Sequence, residues 1–235
     1  MNRASLLWMG LVAVVSVNPV QAQDEGDVTA YFALSFTSTG GLVPLPTAAR
    51  MGETGSAMSL RYGQISFDDD DALHNVGVSG DFRAGTGRLG ITGGAVVCSG
   101  CDPLIMLGGD WTTPLSQRVS QAGTFAVGLT TAAGVGIPTS DDAEGVLLSA
   151  SLGLPVSMIA GEPGALRVIP YITPAVGFGA ATGDGGDNGV RPMLGGGIGI
   201  VAASGLGVSV GFQKVFIEGG EAVIGLAVTF GRHAR

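Results

Sequence analysis

Charge is scarce in this sequence. Charged side chains make up 13% of its 235 residues, Lys214 is the sole lysine, and histidine occurs twice. Aromatic residues reach only 6%, and there are two cysteines. Each shortage excludes a class of protein. Cys98 and Cys101 have no second pair, so a zinc site would need two further ligands from elsewhere. A net charge of −8 supplies no basic stripe, so no nucleic-acid partner is expected. After the N-terminal segment, no stretch offers about 18 apolar residues free of Gly and Pro clusters, so no helix is expected to cross a bilayer.

What the chain has instead is glycine, 42 of it, with a mean hydropathy of +0.45. Glycine at this level lies far above ordinary usage. There is no Gly-X-Y period, and little of the polar excess of a disordered chain. A soluble domain of this size would struggle to carry such hydropathy on its surface. An apolar chain without spanning helices leaves closed β-barrels, because a bilayer tolerates no unpaired backbone.

The first 22 residues read as a secretory signal peptide. Arg3 gives a short basic region, Leu6 to Val17 an apolar one, Pro19 a break, and Val20-Gln21-Ala22 a small-residue cleavage site. The mature chain is therefore expected to begin at Gln23. Residues 23–55 are assigned as an N-terminal extension with a candidate role as a lumen plug, and residues 56–231 as the barrel.

The stretch "AGTFAVGLTTAAGVGIP" shows the governing period. Phe125, Val127, Leu129, Thr131, Ala133, Val135 and Ile137 form one alternate set, bulky and mostly apolar. Thr124, Ala126, Gly128, Thr130, Ala132, Gly134 and Gly136 form the other, small or hydroxylated. Period two identifies a strand. The same split recurs at 146–158, 166–178, 206–213 and 222–230, and more weakly at 56–67, 74–84, 87–97, 103–115 and 190–203. The expectation is an all-β, closed, antiparallel up-and-down transmembrane barrel of about ten strands, with eight as the alternative count. Large residues would face lipid, and small or polar ones the lumen.

Acidic residues give an independent check. The odd-numbered connections hold Asp68 to Asp71, Asp102, Asp141, Asp142, Glu144, Asp184, Asp187, Glu218 and Glu221, twelve of the nineteen acids in the chain. The even-numbered ones, near Gly85, Arg118, Pro163 and Ser204, are short and hold Glu162 alone among acids. Two chemically different ends are what a barrel across a membrane requires.

On these features and the closing strand "EAVIGLAVTF", residues 56–231 resemble the small Gram-negative outer-membrane β-barrels, the OmpA/OmpX-like barrel-domain proteins. The resemblance implies export to the outer membrane, contact with its lipid and handling by the barrel-assembly machinery. It implies that the short turns face the periplasm and the acidic loops face outward. Family members commonly end on an aromatic residue, whereas Phe230 here is followed by five more.

Several motifs were weighed as chemistry. Cys98 and Cys101 are expected to form a disulfide in an exported protein. Gly207-Val208-Ser209-Val210-Gly211 matches a hydrolase elbow, which needs a strand-to-helix turn, but it falls within a strand. Gly85-Thr86-Gly87-Arg88-Leu89-Gly90 matches a dinucleotide loop, but no helix follows it. Asp68, Asp69, Asp70 and Asp71 are candidate ligands for a divalent cation, without the spacing of an EF-hand. Arg61, Asp81, Arg83, Asp110, Arg167 and Arg191 lie on the inward set and are expected to form a lumenal charge network. No cofactor and no catalytic residue is assigned. The expected role is structural or a narrow pore. The alternative is a surface protein whose acidic loops bind a partner or cations, and a lipid-modifying enzyme using His74 ranks third.

Overall fold

The computed structural model describes residues 56–66, 72–98, 103–121, 123–139, 145–161, 165–182, 188–217 and 221–232. They form strands β1 (Ser56–Ser66), β2 (Ala72–Ala84), β3 (Gly87–Val97), β4 (Leu104–Ser120), β5 (Gly123–Pro138), β6 (Leu147–Gly153), β7 (Val156–Ile159), β8 (Arg167–Ala181), β9 (Asn188–Val201), β10 (Leu206–Val215) and β11 (Ala222–Arg232). Among the described residues there is no helix. All strands belong to one antiparallel sheet, closed by pairing of β4 with β5 and of β1 with β11.

The eleven segments occupy ten strand positions, because β6 and β7 are two parts of one strand. Both pair with β5 on one side and β8 on the other. They are separated only by Leu154 and Pro155, and the register is the same on either side. Pro155 has no N–H to give, so the ladder skips there. The strand still runs on: Gly128 N donates to Pro155 O, and Leu154 N to Pro174 O, both at 2.9 Å. The ten-strand count holds over eight.

Period two decides which way each side chain faces. Met58, Leu60 and Tyr62 of β1 are exposed while Ala57, Ser59 and Arg61 are buried. The same alternation appears on β10, where Leu206, Val208, Val210 and Phe212 point out and Ser209 and Gln213 point in. The outward face is apolar around the whole circumference, the inverse of a water-soluble sandwich. Three glycines on that face are covered by a neighbouring ring. Trp111 lies over Gly87, Phe82 over Gly80 and Phe212 over Gly196.

One connection differs from expectation. The sequence pattern ends a strand at Leu115 and puts a connection near Arg118, but β4 continues to Ser120 and pairs with β5 as far as Ser120↔Gly123. The register shifts between Pro114 and Ser116, a bulge at the point where proline cannot donate. Arg118 therefore lies on an exposed strand extension and not in a loop.

Two turn glycines differ in what a side chain would meet. Gly85 has φ +60°, and no atom lies within 4 Å of where its β-carbon would be. Gly123 has φ +137°, and a β-carbon there would run into the Ile159 carbonyl. Gly85→Ala should therefore cost about 1 kcal/mol for the left-handed backbone alone. Gly123→Ala should cost distinctly more, because strain and collision add. The midpoint of urea unfolding for the two variants against the parent chain checks the order.

Candidate functional site

The lumen is layered. At the end that carries the longer connections, inward side chains are apolar: Ile65, Val96, Met106, Met193, Val215 and Val223 form one buried cluster, with Leu73, Leu104 and Ile217 packed against it. Sequence reading assigned this face to small and polar residues, so the apolar cap is a correction. At the opposite end a smaller cluster joins Ile169, Val201 and Ile159.

Between the two lies a polar belt built from several walls. Arg61 projects from β1 and is 7% exposed. It interacts electrostatically with Asp81 of β2, Asp110 of β4 and Tyr171 of β8. Strands β1, β4 and β8 are spread around the barrel, so these side chains meet across the lumen. Register explains how the carboxylates come together. Asp81 pairs with Gly90, and Gly90 pairs with Asp110, which places both acids on one row with glycine between them. A β-carbon at Gly90 would collide with the Asp110 carboxylate. Gly90 is thus the space into which that carboxylate fits. Gly197 does the same for Tyr171, whose hydroxyl would lie 2.8 Å from a β-carbon there.

Hydroxyls complete the belt. Thr112 Oγ1 lies 3.4 Å from Asp110 Oδ2 and 2.9 Å from Thr130 Oγ1. Ser59 and Thr229 share a hydrogen bond of 2.9 Å across the β1–β11 seam. Asn75 Nδ2 donates to Met106 Sδ at 3.9 Å, where belt meets apolar cap. Arg61 Nε and the Tyr171 hydroxyl are buried without a hydrogen-bond partner among the described residues.

Of the six residues read as a lumenal network, the structure brings Arg61, Asp81 and Asp110 together. Arg83 is exposed, and its Nε donates to the Gly85 carbonyl at 3.5 Å, outside the belt. Arg191 is half-buried and bonds its neighbour's carbonyl, Val190 O, at 2.9 Å. Arg167 is half-buried at the start of β8. Sequence reading missed two members. Arg88 stands at the start of the strand expected at 87–97 and outside the expected network, but it is 2% exposed and interacts with Asp110. Its position one residue after Gly87, at the first inward position of β3, was the available signal. Tyr171 stood on the inward set but carried no charge to draw notice.

Cys98 is disulfide-bonded, and the chain holds one other cysteine, Cys101. Asp68, Asp69, Asp70, Asp71, Cys101 and residues 23–55 lie outside the described residues. Among the described residues no group of three or more His, Cys, Asp or Glu is placed to hold a metal ion. Ser209 is buried in the middle of β10, and Gly85 and Gly87 flank a hairpin turn. No protein-family model matches the chain, and neither does any curated protein.

Removing Arg61 leaves two carboxylates facing each other in the lumen without their shared cation. Arg61→Ala should destabilise the barrel by about 3 kcal/mol. Adding Asp110→Asn to that variant should recover part of the loss. Equilibrium urea unfolding in lipid vesicles measures both.

Proposed function

We propose that the chain is an integral outer-membrane β-barrel protein whose lumen is occluded, so that its role is structural and not that of an open pore. The observation that carries this reading is the apolar outward face contributed by every strand. Monomeric soluble proteins rarely expose apolar patches beyond a few hundred Å². A closed ladder with an apolar exterior is suited to hydrocarbon, which offers no partner to backbone groups. The signal-peptide pattern of residues 1–22 supports export, and with the barrel it supports delivery to a Gram-negative-type outer membrane by the assembly machinery.

Occlusion is supported by the lumen's layers. Open porins keep a polar, water-filled interior. Here Ile65, Met106, Val215 and Val223 pack against one another at one end, and Arg61, Asp110 and Tyr171 converge across the middle. A ten-stranded barrel lies near the size at which side chains fill the interior.

Two measurements test the proposal. Once residues 1–22 are removed, Trp111 is the sole tryptophan, and it lies on the outward face of β4. Its fluorescence should be quenched by lipids brominated along their acyl chains. Unquenched emission from folded protein rejects membrane insertion. In planar bilayers the protein should be silent, and steady single-channel conductance would restore the narrow pore.

A further inference from the structure

The outward face is mostly apolar, and one polar group on it lies near the end that carries the longer connections. Tyr62 and Gln64 of β1 and His74 of β2 share that face. Gln64 and His74 are direct cross-strand partners. The Tyr62 hydroxyl lies 2.8 Å from His74 Nδ1 and 3.2 Å from Gln64 Oε1, and the two rings stack with centroids 5.9 Å apart. A phenol has one proton. If it is given to Gln64, the bond to His74 must be donated by Nδ1–H. The remaining nitrogen, Nε2, then has no role in this triad. It is open to a group outside the triad.

Register places the sole lysine on the same face. His74 pairs with Gln64, Gln64 with Ile224 and Ile224 with Phe212. Lys214, the sole lysine, stands one outward row beyond Phe212 and pairs with Ala222. Lys214 and His74 are therefore three strand spacings apart, about 15 Å between backbones, with β1 and β11 between them. Toward the middle of the barrel lie Phe212, Ile224, Leu226, Tyr62 and Val76, all exposed.

We propose that Lys214 and His74, with Gln64 and Tyr62 positioning the imidazole, bind the phosphate of an anionic membrane lipid whose acyl chains lie on this apolar floor. The proposal rests on the membrane reading above. The floor is what selects a lipid over free phosphate, because a small ion has no use for it. The site faces out of the barrel and is separate from the Arg61 belt. The groups facing His74 are Tyr62 and Gln64 from β1 and Val97 from β3, with Lys214 of β10 beyond β1 and β11.

The test compares lipids with the same acyl chains in native mass spectrometry of the detergent-solubilised protein. Phosphatidylglycerol keeps one negative charge between pH 6 and 8, and diacylglycerol carries none. The parent protein should retain phosphatidylglycerol over diacylglycerol. Lys214→Gln with His74→Gln should cut the preference about tenfold, the size of one charge-assisted hydrogen bond. Equal retention of the two lipids, or an unchanged preference in the double variant, overturns the proposal. Competition by inorganic phosphate at equal concentration overturns the assignment to lipid. Quenching of Trp111 in the double variant reads insertion separately, so a site that fails while quenching persists leaves the membrane reading intact.

Discussion

Everything in this protein depends on closure of its backbone ladder. A sheet leaves two rows of unpaired N–H and C=O groups at its edges, and only joining the first strand to the last removes them. Here Ser56–Gln64 pairs with 224–232 in continuous register. Once closed, the sheet has an inside and an outside, and every strand must honour both. That requirement lets the outer face be apolar and makes the interior, not the exterior, the place for charge.

The interior then solves a packing problem with few bulky residues. Glycine on an inward position is a recess into which a neighbour's side chain can fold. Gly90 receives the Asp110 carboxylate, and Gly197 makes room for Tyr171. With those recesses, side chains from β1, β4 and β8 can reach one another across the lumen. Buried charges are costly singly and tolerable together, which is why Arg61 stands among two acids and Arg88 beside Asp110. The apolar cap at one end and the small cluster at the other bound this belt. Glycine abundance in this chain is therefore a packing device as much as a source of turns.

Most of the fold was legible in the sequence because period two contrasts bulky with small residues over most of its length. Phe125, Val127 and Leu129 against Ala126, Gly128 and Thr130 leave no ambiguity of face. The contrast fails where both alternates are large. Val223 beside Ile224, or Ile105 beside Met106, reads as uniformly apolar, so the inward cap was hidden. Pro114 lies inside the strand expected at 103–115, and a bulge absorbs its missing N–H, so the strand continues past Leu115 to Ser120. The lumenal belt was half legible: parity put Arg61, Asp81 and Asp110 on one face, but only the register of β2, β3 and β4 shows that a glycine lets the two acids meet. Arg83 has the same inward parity and lies outside the belt, because at the strand's end its side chain can turn to the Gly85 carbonyl instead.

The belt also bears on how the seam finds its register. β1 and β11 are far apart in sequence and are joined only when the barrel closes. Small residues line much of the inward side of both: Ala57, Ser59 and Gly63 on one, Gly225, Ala227 and Thr229 on the other. Small residues alone discriminate poorly between neighbouring registers. Arg61 supplies the discrimination. Turning β1 over by one residue would carry its guanidinium from Asp81 and Asp110 to the apolar outer face and would bring Leu60 and Tyr62 into a lumen with no space for them. The Ser59–Thr229 hydrogen bond would be lost in the same step. The charge that is hardest to bury is thus the one that best fixes the closing strand, and a lumen without it would close less uniquely.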